Sequence, residues 1–248
     1  MNLHKLILIA FTLVYAILWI GGIASYIFYE QPLPESNWAA PSFLFIAGMI
    51  VIISSERKHA FFLVIAGLLG FAFEILGINT GYPFGKYYYT DNIKPLIFNV
   101  PVVMITAWTV LTAFARQLLM NTKLKDKKLI FIGGLLMVWI DLLIDPVAIG
   151  PMNFWIWIDK GCYYGIPLLN FFGWFFVSSM VFIFLIRIKT TNIWHKYIGA
   201  SIIMFFTIIA FAGHIFLAGI AGVGILILQI ILEVKYKTQN SKKIGTNY

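Results

Sequence analysis

The chain has 248 residues, of which 61% are hydrophobic and only 11% are charged, and its mean hydropathy is +0.90. These values exclude a typical soluble enzyme and indicate an integral membrane protein. The net charge of +8 is explained better by membrane topology than by nucleic acid, which we do not expect as a partner. The single cysteine, Cys162, excludes an intrachain disulfide and a CxxC metal or redox motif, and we interpret it as a packed thiol.

Long apolar runs follow one another along the chain, and a run of about 20 such residues crosses a bilayer as a helix. The first six candidate spans are Leu6–Phe28, Trp38–Ile53, Phe61–Ile78, Leu96–Met120, Leu129–Ile149 and Leu168–Ile188. A seventh run, Tyr197–Leu232, is too long for one span, and its glycine-rich middle, 213-GHIFLAGIAGVG-224, predicts a turn between two short spans. The first run is too long for a typical signal peptide and no A-x-A-like site follows it, so we interpret it as a retained helix.

These patterns predict an all-α integral membrane protein, a polytopic bundle of about eight transmembrane helices, with seven as the alternative. Residues 1–234 form one transmembrane domain, and residues 235–248 are expected to be a polar, loose cytoplasmic tail. With Lys5 in the cytoplasm and eight spans, 15 basic residues lie in inner segments and three in outer ones, together the 18 of the chain. The positive-inside rule therefore places both ends inside, which we expect in the cytoplasmic (inner) membrane. Seven spans would put four tail lysines outside.

Two outer connections, residues 79–94 and 150–167, are long and rich in Gly, Pro and aromatic side chains. One interpretation is an aromatic belt at the lipid headgroups. Loops this long more often build or cover a site, so we expect part of this aromatic set to line a pocket. The loop residues expected to bind substrate are Tyr82, Phe84, Tyr87, Tyr88, Trp155, Trp157, Tyr163 and Tyr164.

Polar residues of several predicted spans fall at one depth, in the outer half of the membrane. Glu74 and Asp145 each lie about one turn below the outer end of a span, and Asp141 shares a helix face with Asp145. Asn99, Asn170 and His214 are expected at the same level. Each has a structural interpretation: a helix kink at Asp145-Pro146, a loop cap, interhelical hydrogen bonds or simple packing. No Lys or Arg is available at that depth, so at least one acid is expected to hold a proton at pH 7 and to be a proton donor.

Four segments of the sequence, 74-EILGINTGYPFGKYYYT-90, 141-DLLIDPVA-148, 155-WIW-157 and 161-GCYYGIPLLNFFGW-174, resemble the membrane-bound carotenoid hydratases. That family includes γ-carotene 1′-hydratases and bisanhydrobacterioruberin hydratases, and it adds water to the C1–C2 double bond of an acyclic carotenoid end group. The resemblance covers roughly residues 71–176, and the first two and last two spans match only as hydrophobic segments. It implies an enzyme of carotenoid biosynthesis, a hydro-lyase that takes a lipophilic carotenoid from the bilayer lipids, with other enzymes of the pathway as possible partners.

The residues suit this chemistry, which needs an acid, a shelter for a tertiary cation and a placed water. The expected catalytic residues are Glu74, Asp141 and Asp145, and aromatic faces supply cation–π attraction. Trp139, Trp174, Asn99, Asn170 and His214 complete the expected substrate-binding set. We expect no metal and no cofactor, and the sequence contains no dinucleotide fingerprint, P-loop or HExxH motif.

Three other functions remain open at this point. A carotenoid end-group cyclase would use the same protonation but exclude water. An intramembrane prenyltransferase would explain the D-x-x-x-D pattern of Asp141 and Asp145, but its partner acidic motif and the basic residues for a diphosphate are lacking at that depth. A proton-coupled transporter or lipid-binding scaffold could use the same acids as a relay, although no inverted repeat is visible.

Overall fold

A computed structural model describes residues 3–29, 37–120 and 122–245, with side chains described up to Thr238. Within these ranges the chain forms eight helices and four short strands. The helices are α1 (Leu3–Phe28), α2 (Ala39–Ile53), α3 (Arg57–Thr80), α4 (Met104–Leu119), α5 (Asp126–Ile149), α6 (Leu168–Leu185), α7 (Ile193–Ala212) and α8 (Phe216–Gly245). The strands are β1 (Tyr87–Tyr89), β2 (Leu96–Ile97), β3 (Val100–Pro101) and β4 (Trp155–Trp157).

Six of the described helices are long and apolar enough to cross a membrane, and α2 and α4 are shorter apolar helices. The all-α polytopic bundle is therefore confirmed. The seventh apolar run consists of two helices, α7 and α8, which are separated at residues 213–215 within the predicted turn segment. The polar segment that was expected to be loose instead continues α8 as helix to Gly245.

The predicted fourth span is wrong at its start, because residues 96–101 form a β hairpin and α4 begins only at Met104. Phe98 and Asn99 occupy the two-residue turn with φ of 51° and 63°. Positive φ at both central residues is typical of the hairpin turn that matches strand twist, and it is incompatible with a continuing helix. Asn99 is consequently exposed at the hairpin tip.

Helix α4 lies at the centre of the bundle, and every residue from Thr106 to Leu119 is buried. The hydroxyl of Thr112 donates to the carbonyl of Trp108 at 2.6 Å, so this polar side chain is satisfied within its own helix. Gly70 of α3 faces the Trp108 indole, and a Cβ at that position would overlap the ring. The glycine thus lets α3 and α4 approach closely enough to place Trp108 beside the next turn of α3.

The two long outer connections are joined by a two-stranded antiparallel sheet of β1 and β4. Tyr87 pairs with Trp157 and Tyr89 with Trp155, while Tyr88 pairs with Ile156 in between. Because side chains alternate along a strand, the Tyr87–Trp157 and Tyr89–Trp155 pairs share one face of the sheet. That face is turned towards the helices, and the central pair is exposed.

Candidate active site

The three predicted acids and Asn170 are all buried, near the end of the bundle that carries the two long aromatic connections. Glu74 is carried by α3, Asp141 and Asp145 by α5, and Asn170 by the first turn of α6. One helical turn separates the two aspartates, so their side chains project from the same face of α5. The packing of α3, α5 and α6 therefore brings together groups that are distant in the sequence.

Glu74 is held by three neutral donors. Its Oε2 accepts hydrogen bonds from the hydroxyls of Tyr87 and Tyr89, the latter at 3.0 Å. Its Oε1 accepts from the Trp108 indole nitrogen at 3.2 Å. The carboxyl group is thereby fixed from the sheet on one side and from α4 on the other.

Asp145 is held by a second set of neutral donors. Its Oδ1 accepts from the indole nitrogens of Trp155 at 2.8 Å and Trp157 at 3.2 Å. Its Oδ2 accepts from Asn170 Nδ2 at 2.9 Å, and the same nitrogen donates to Oδ2 of Asp141 at 2.7 Å. One amide nitrogen thus bridges the two aspartates, whose carboxyl groups face each other across it.

No counter-ion accompanies these acids within the described parts of the chain. The ion pairs found there lie elsewhere and join His59 to Glu56, Lys94 to Asp91, and Lys196 to Glu233. In the same parts of the chain, no group of three or more His, Cys, Asp or Glu residues is arranged to hold a metal ion. Hydrogen bonds from phenol, indole and amide groups are what satisfies the buried carboxyl groups.

Glu74 and Asp145 line one small cavity of about 20 Å³, which we call the acid cavity. Its other walls are Phe84, Tyr87, Tyr89, Met104, Trp155, Trp157, Asn170 and Trp174. A buried water needs roughly 10–15 Å³ and a few polar partners, so the acid cavity can accommodate one water molecule. Asp141 lies behind this cavity and is connected to it through Asn170.

Comparison with known proteins agrees with the resemblance read from the sequence. A family model described as "Carotenoid biosynthesis protein" matches residues 40–234. The chain belongs to the carotenoid biosynthesis protein family. The match is wider than the segment recognised from motifs. It runs from the start of α2 into α8. This family places the chain in carotenoid biosynthesis.

A curated relative of this carotenoid biosynthesis protein is the bisanhydrobacterioruberin hydratase of Haloarcula japonica. The two are 28% identical over 142 residues, which cover 54% of this chain and 46% of the relative. The chain thus matches about half the length of that relative. No solved structure matches the chain.

Several predicted substrate-binding residues of this family member do not reach the acid cavity. Tyr82 is 67% exposed and Tyr88 is 48% exposed, the latter because it points to the outer face of the sheet. Asn99 lies at the hairpin tip described above. His214 adopts a positive φ of 57° in the turn between α7 and α8 and is exposed.

Two further predicted residues, Trp139 and Tyr164, make contacts elsewhere. The Trp139 indole donates to the carbonyl of Ala221 at 3.1 Å and therefore joins α5 to α8. The Tyr164 hydroxyl accepts from the backbone nitrogen of Leu217 at 3.1 Å. The predicted packed thiol, Cys162, is exposed in the same outer loop.

Tyr163, which was also predicted to bind substrate, forms a hydrogen bond to the backbone of α5. Pro146 has no N–H and cannot donate to the carbonyl of Leu142 one turn earlier. The Tyr163 hydroxyl donates to that carbonyl at 2.7 Å. Burial raises the pKa of Tyr163 to about 12, so the phenol keeps the proton that it donates. The proline can thus stand inside the helix without leaving this carbonyl unpaired.

Sequence reasoning missed Tyr89 and Trp108, which both donate to Glu74. Tyr89 could have been found from strand alternation in 87-YYY-89, since the first and third residues of a strand share a face. The sequence signal for Trp108 was weaker. It consists of Gly70, one turn before Glu74, which leaves room for a large side chain from a neighbouring helix. That signal has meaning only once α3 and α4 are known to be neighbours.

Proposed function

We propose that this protein hydrates the C1–C2 double bond of an acyclic carotenoid end group without a cofactor. The observation that carries the proposal is the acid cavity, in which carboxyl groups of two different helices face one water-sized space walled by aromatic rings. Membership of the carotenoid biosynthesis family and similarity to a hydratase support the same reaction. A cyclase would have to exclude water from this position, and a polar space between two carboxyl groups favours hydration.

The proton donor in this proposal is Asp145. Like charges this close in low dielectric cannot both ionise, so Asp141 and Asp145 hold one proton between them across the Asn170 amide. Asp145 lines the acid cavity and Asp141 does not, so Asp145 transfers the proton to C2 of the end group. Asp141 acts as a positioning residue that keeps the pair singly protonated.

The tertiary cation forms at C1 as the C2–H bond is made. The aromatic side chains of Phe84, Trp157 and Trp174 line the acid cavity. Cation–π attraction at a desolvated site is worth about 2 kcal/mol or more, so these rings stabilise the cation without reacting with it.

Glu74 is the base that completes the addition. The oxygen of a water molecule in the acid cavity bonds to C1, and Glu74 takes the proton that this water loses. Three donors, from Tyr87, Tyr89 and Trp108, hold the Glu74 carboxyl group in one orientation beside this water. Proton transfer back to Asp145 through water closes the cycle, and the net change is the addition of one water.

Water can arrive from the outer surface. An open depression of about 770 Å³ lies beside β4 and is lined by Lys160, Tyr164 and the segment around Pro151. Trp155 and Trp157 line both this depression and the acid cavity, so they separate it from Asp145. The carotenoid itself partitions into the bilayer, which we propose to be the cytoplasmic membrane. Membrane lipids and other enzymes of the carotenoid pathway are its proposed partners there.

Expression in a lycopene-producing bacterium tests this function. The pigments are extracted and analysed by mass, with Asp145→Asn as the inactive variant and Asp91→Asn, whose side chain is 89% exposed, as the matched control. Hydration predicts pigments that gain one or two waters with the wild type and the control only. A cyclised product of unchanged mass would show a cyclase instead, and a gain of an isoprene unit would show a prenyltransferase.

A further inference from the structure

Beside the acid cavity the bundle contains a much larger space, which we call the outer cavity. It measures about 440 Å³ and lies between α1, α2, α7 and the segment 151–154. Its volume falls in the range of sites that bind small molecules, roughly 300–1,000 Å³. The helix α1, which forms one wall, lies before the residues matched by the family model.

A third space, the middle cavity, lies between the other two. It measures about 50 Å³, and its walls are apolar side chains throughout. Leu44, Phe154 and Phe206 line both the outer and the middle cavity. Met104, Trp155 and Trp174 line both the middle and the acid cavity. The three spaces therefore form one series that ends at the acids.

The entrance to this series lies on α1 and α2, where apolar residues are open to the surroundings. Ile17 is 69% exposed and Trp38 is 62% exposed, and both line the outer cavity. Gly21 lines the same cavity, and a Cβ there would have no atom within 4 Å. Ile17 and Gly21 lie in the second half of α1, a helix long and apolar enough to cross a membrane, and Trp38 directly precedes α2, so we expect the entrance to face the bilayer.

We propose that the outer and middle cavities bind the polyene chain of the substrate, which enters from the bilayer end first between α1 and α2. This inference rests on the proposed function for the identity of the ligand, a linear isoprenoid chain. A mostly apolar series of spaces suits such a chain, because few polar groups lie along it, all in the outer cavity, at Ser25, Tyr26, Asn37, Asn92 and Asn153. The part of the polyene that lies in the outer cavity holds the terminal C1–C2 bond beside Asp145 and Glu74.

Because the middle cavity is narrow, the residues where it meets the outer cavity act as a gate. The side chains of Leu44, Phe154 and Phe206 stand where the outer cavity meets the middle cavity, and they must rotate for an end group to pass. A linear end passes this gate more readily than a ring. In this proposal the gate therefore favours acyclic end groups before they reach the acids.

Pigment retention in the Asp145→Asn background separates binding from chemistry. Each variant is expressed in a lycopene-producing bacterium and purified, and the lycopene that remains bound is measured by absorbance per mole of protein. Gly21→Phe fills the entrance, where the added ring meets open space, and Leu44→Trp narrows the gate. Leu13→Phe is the matched control, because Leu13 is 61% exposed on the same helix and does not line the outer cavity.

We expect Gly21→Phe and Leu44→Trp each to lower retained lycopene at least about tenfold, and Leu13→Phe to leave it unchanged. Retention at the parent level in both test variants would overturn the proposed route, and so would an equal loss in Leu13→Phe. Product analysis of the protein with Asp145 intact is independent of this result. If no hydrated pigment forms but the binding pattern holds, the proposed reaction fails and the polyene route stands.

Discussion

Tyr87 and Trp157 face each other across the β1–β4 sheet with ring centroids 4.8 Å apart, and each donates a hydrogen bond to a different buried carboxyl group. Tyr87 donates to Glu74 of α3, and Trp157 donates to Asp145 of α5. Tyr89 and Trp155 repeat the arrangement two residues along. A two-stranded sheet of aromatic residues thus positions both carboxyl groups over the acid cavity.

Removal of the Tyr87 hydroxyl should weaken this arrangement without removing the ring. A hydrogen bond to a charged group contributes roughly 1.5–3 kcal/mol, so Tyr87→Phe should lower the hydration rate by about ten- to a hundredfold. Tyr88→Phe is the matched control, since Tyr88 lies on the exposed face of the same strand. Rates are measured from pigment conversion in isolated membranes at equal protein levels. A wild-type hydration rate in both variants would show that the sheet covers the site without positioning the carboxyl groups.

Loss of either carboxyl group at the acid cavity should nearly abolish turnover. General acid–base catalysis typically contributes about 10²–10⁴-fold, so Asp145→Asn and Glu74→Gln should each lose at least about two orders of magnitude in rate. Both substitutions keep the side-chain shape, and insertion is checked by the amount of protein in membranes. Near wild-type hydration by both inserted variants would make the acids structural and the mechanism wrong.

Tyr163→Phe should lower stability more than activity. It removes the donor to the Leu142 carbonyl, which Pro146 leaves without its helical partner. An unsatisfied carbonyl costs about 1–3 kcal/mol when it is buried, and the Leu142 carbonyl is partly buried, so the melting temperature of the detergent-solubilised protein should fall. Tyr82→Phe, at an exposed position, is the control that should not shift it. An unchanged melting temperature in Tyr163→Phe would mean that another group, such as water, satisfies this carbonyl.

The native cysteine offers a direct test of sidedness. Cys162 is exposed in the outer loop that precedes α6, so an impermeant maleimide should label it in intact cells. A cysteine at the exposed position Lys58 in a Cys162→Ser background should be labelled only after the inner face is opened. The opposite pattern would invert the orientation predicted from the basic residues.

The sequence determined the membrane class and the positions of most helices. Hydropathy acts locally along the chain, so every span except the start of the fourth could be derived without knowing which helices are neighbours. The motifs around Glu74, Asp141 and Asp145 also led to the family that the comparison shows. The start of α4 was mistaken because a short apolar hairpin and a helix end have similar hydropathy.

Only the tertiary structure decided which aromatic residues meet the acids. The register of β1 with β4 turns Tyr87, Tyr89, Trp155 and Trp157 inward and Tyr88 outward, and that pairing joins segments about 70 residues apart. The same holds for Trp108, which reaches Glu74 because α4 packs against Gly70, and for Tyr163, which completes α5 at Pro146. Such contacts depend on how distant helices and strands pack together, and no local pattern of residue types encodes that packing.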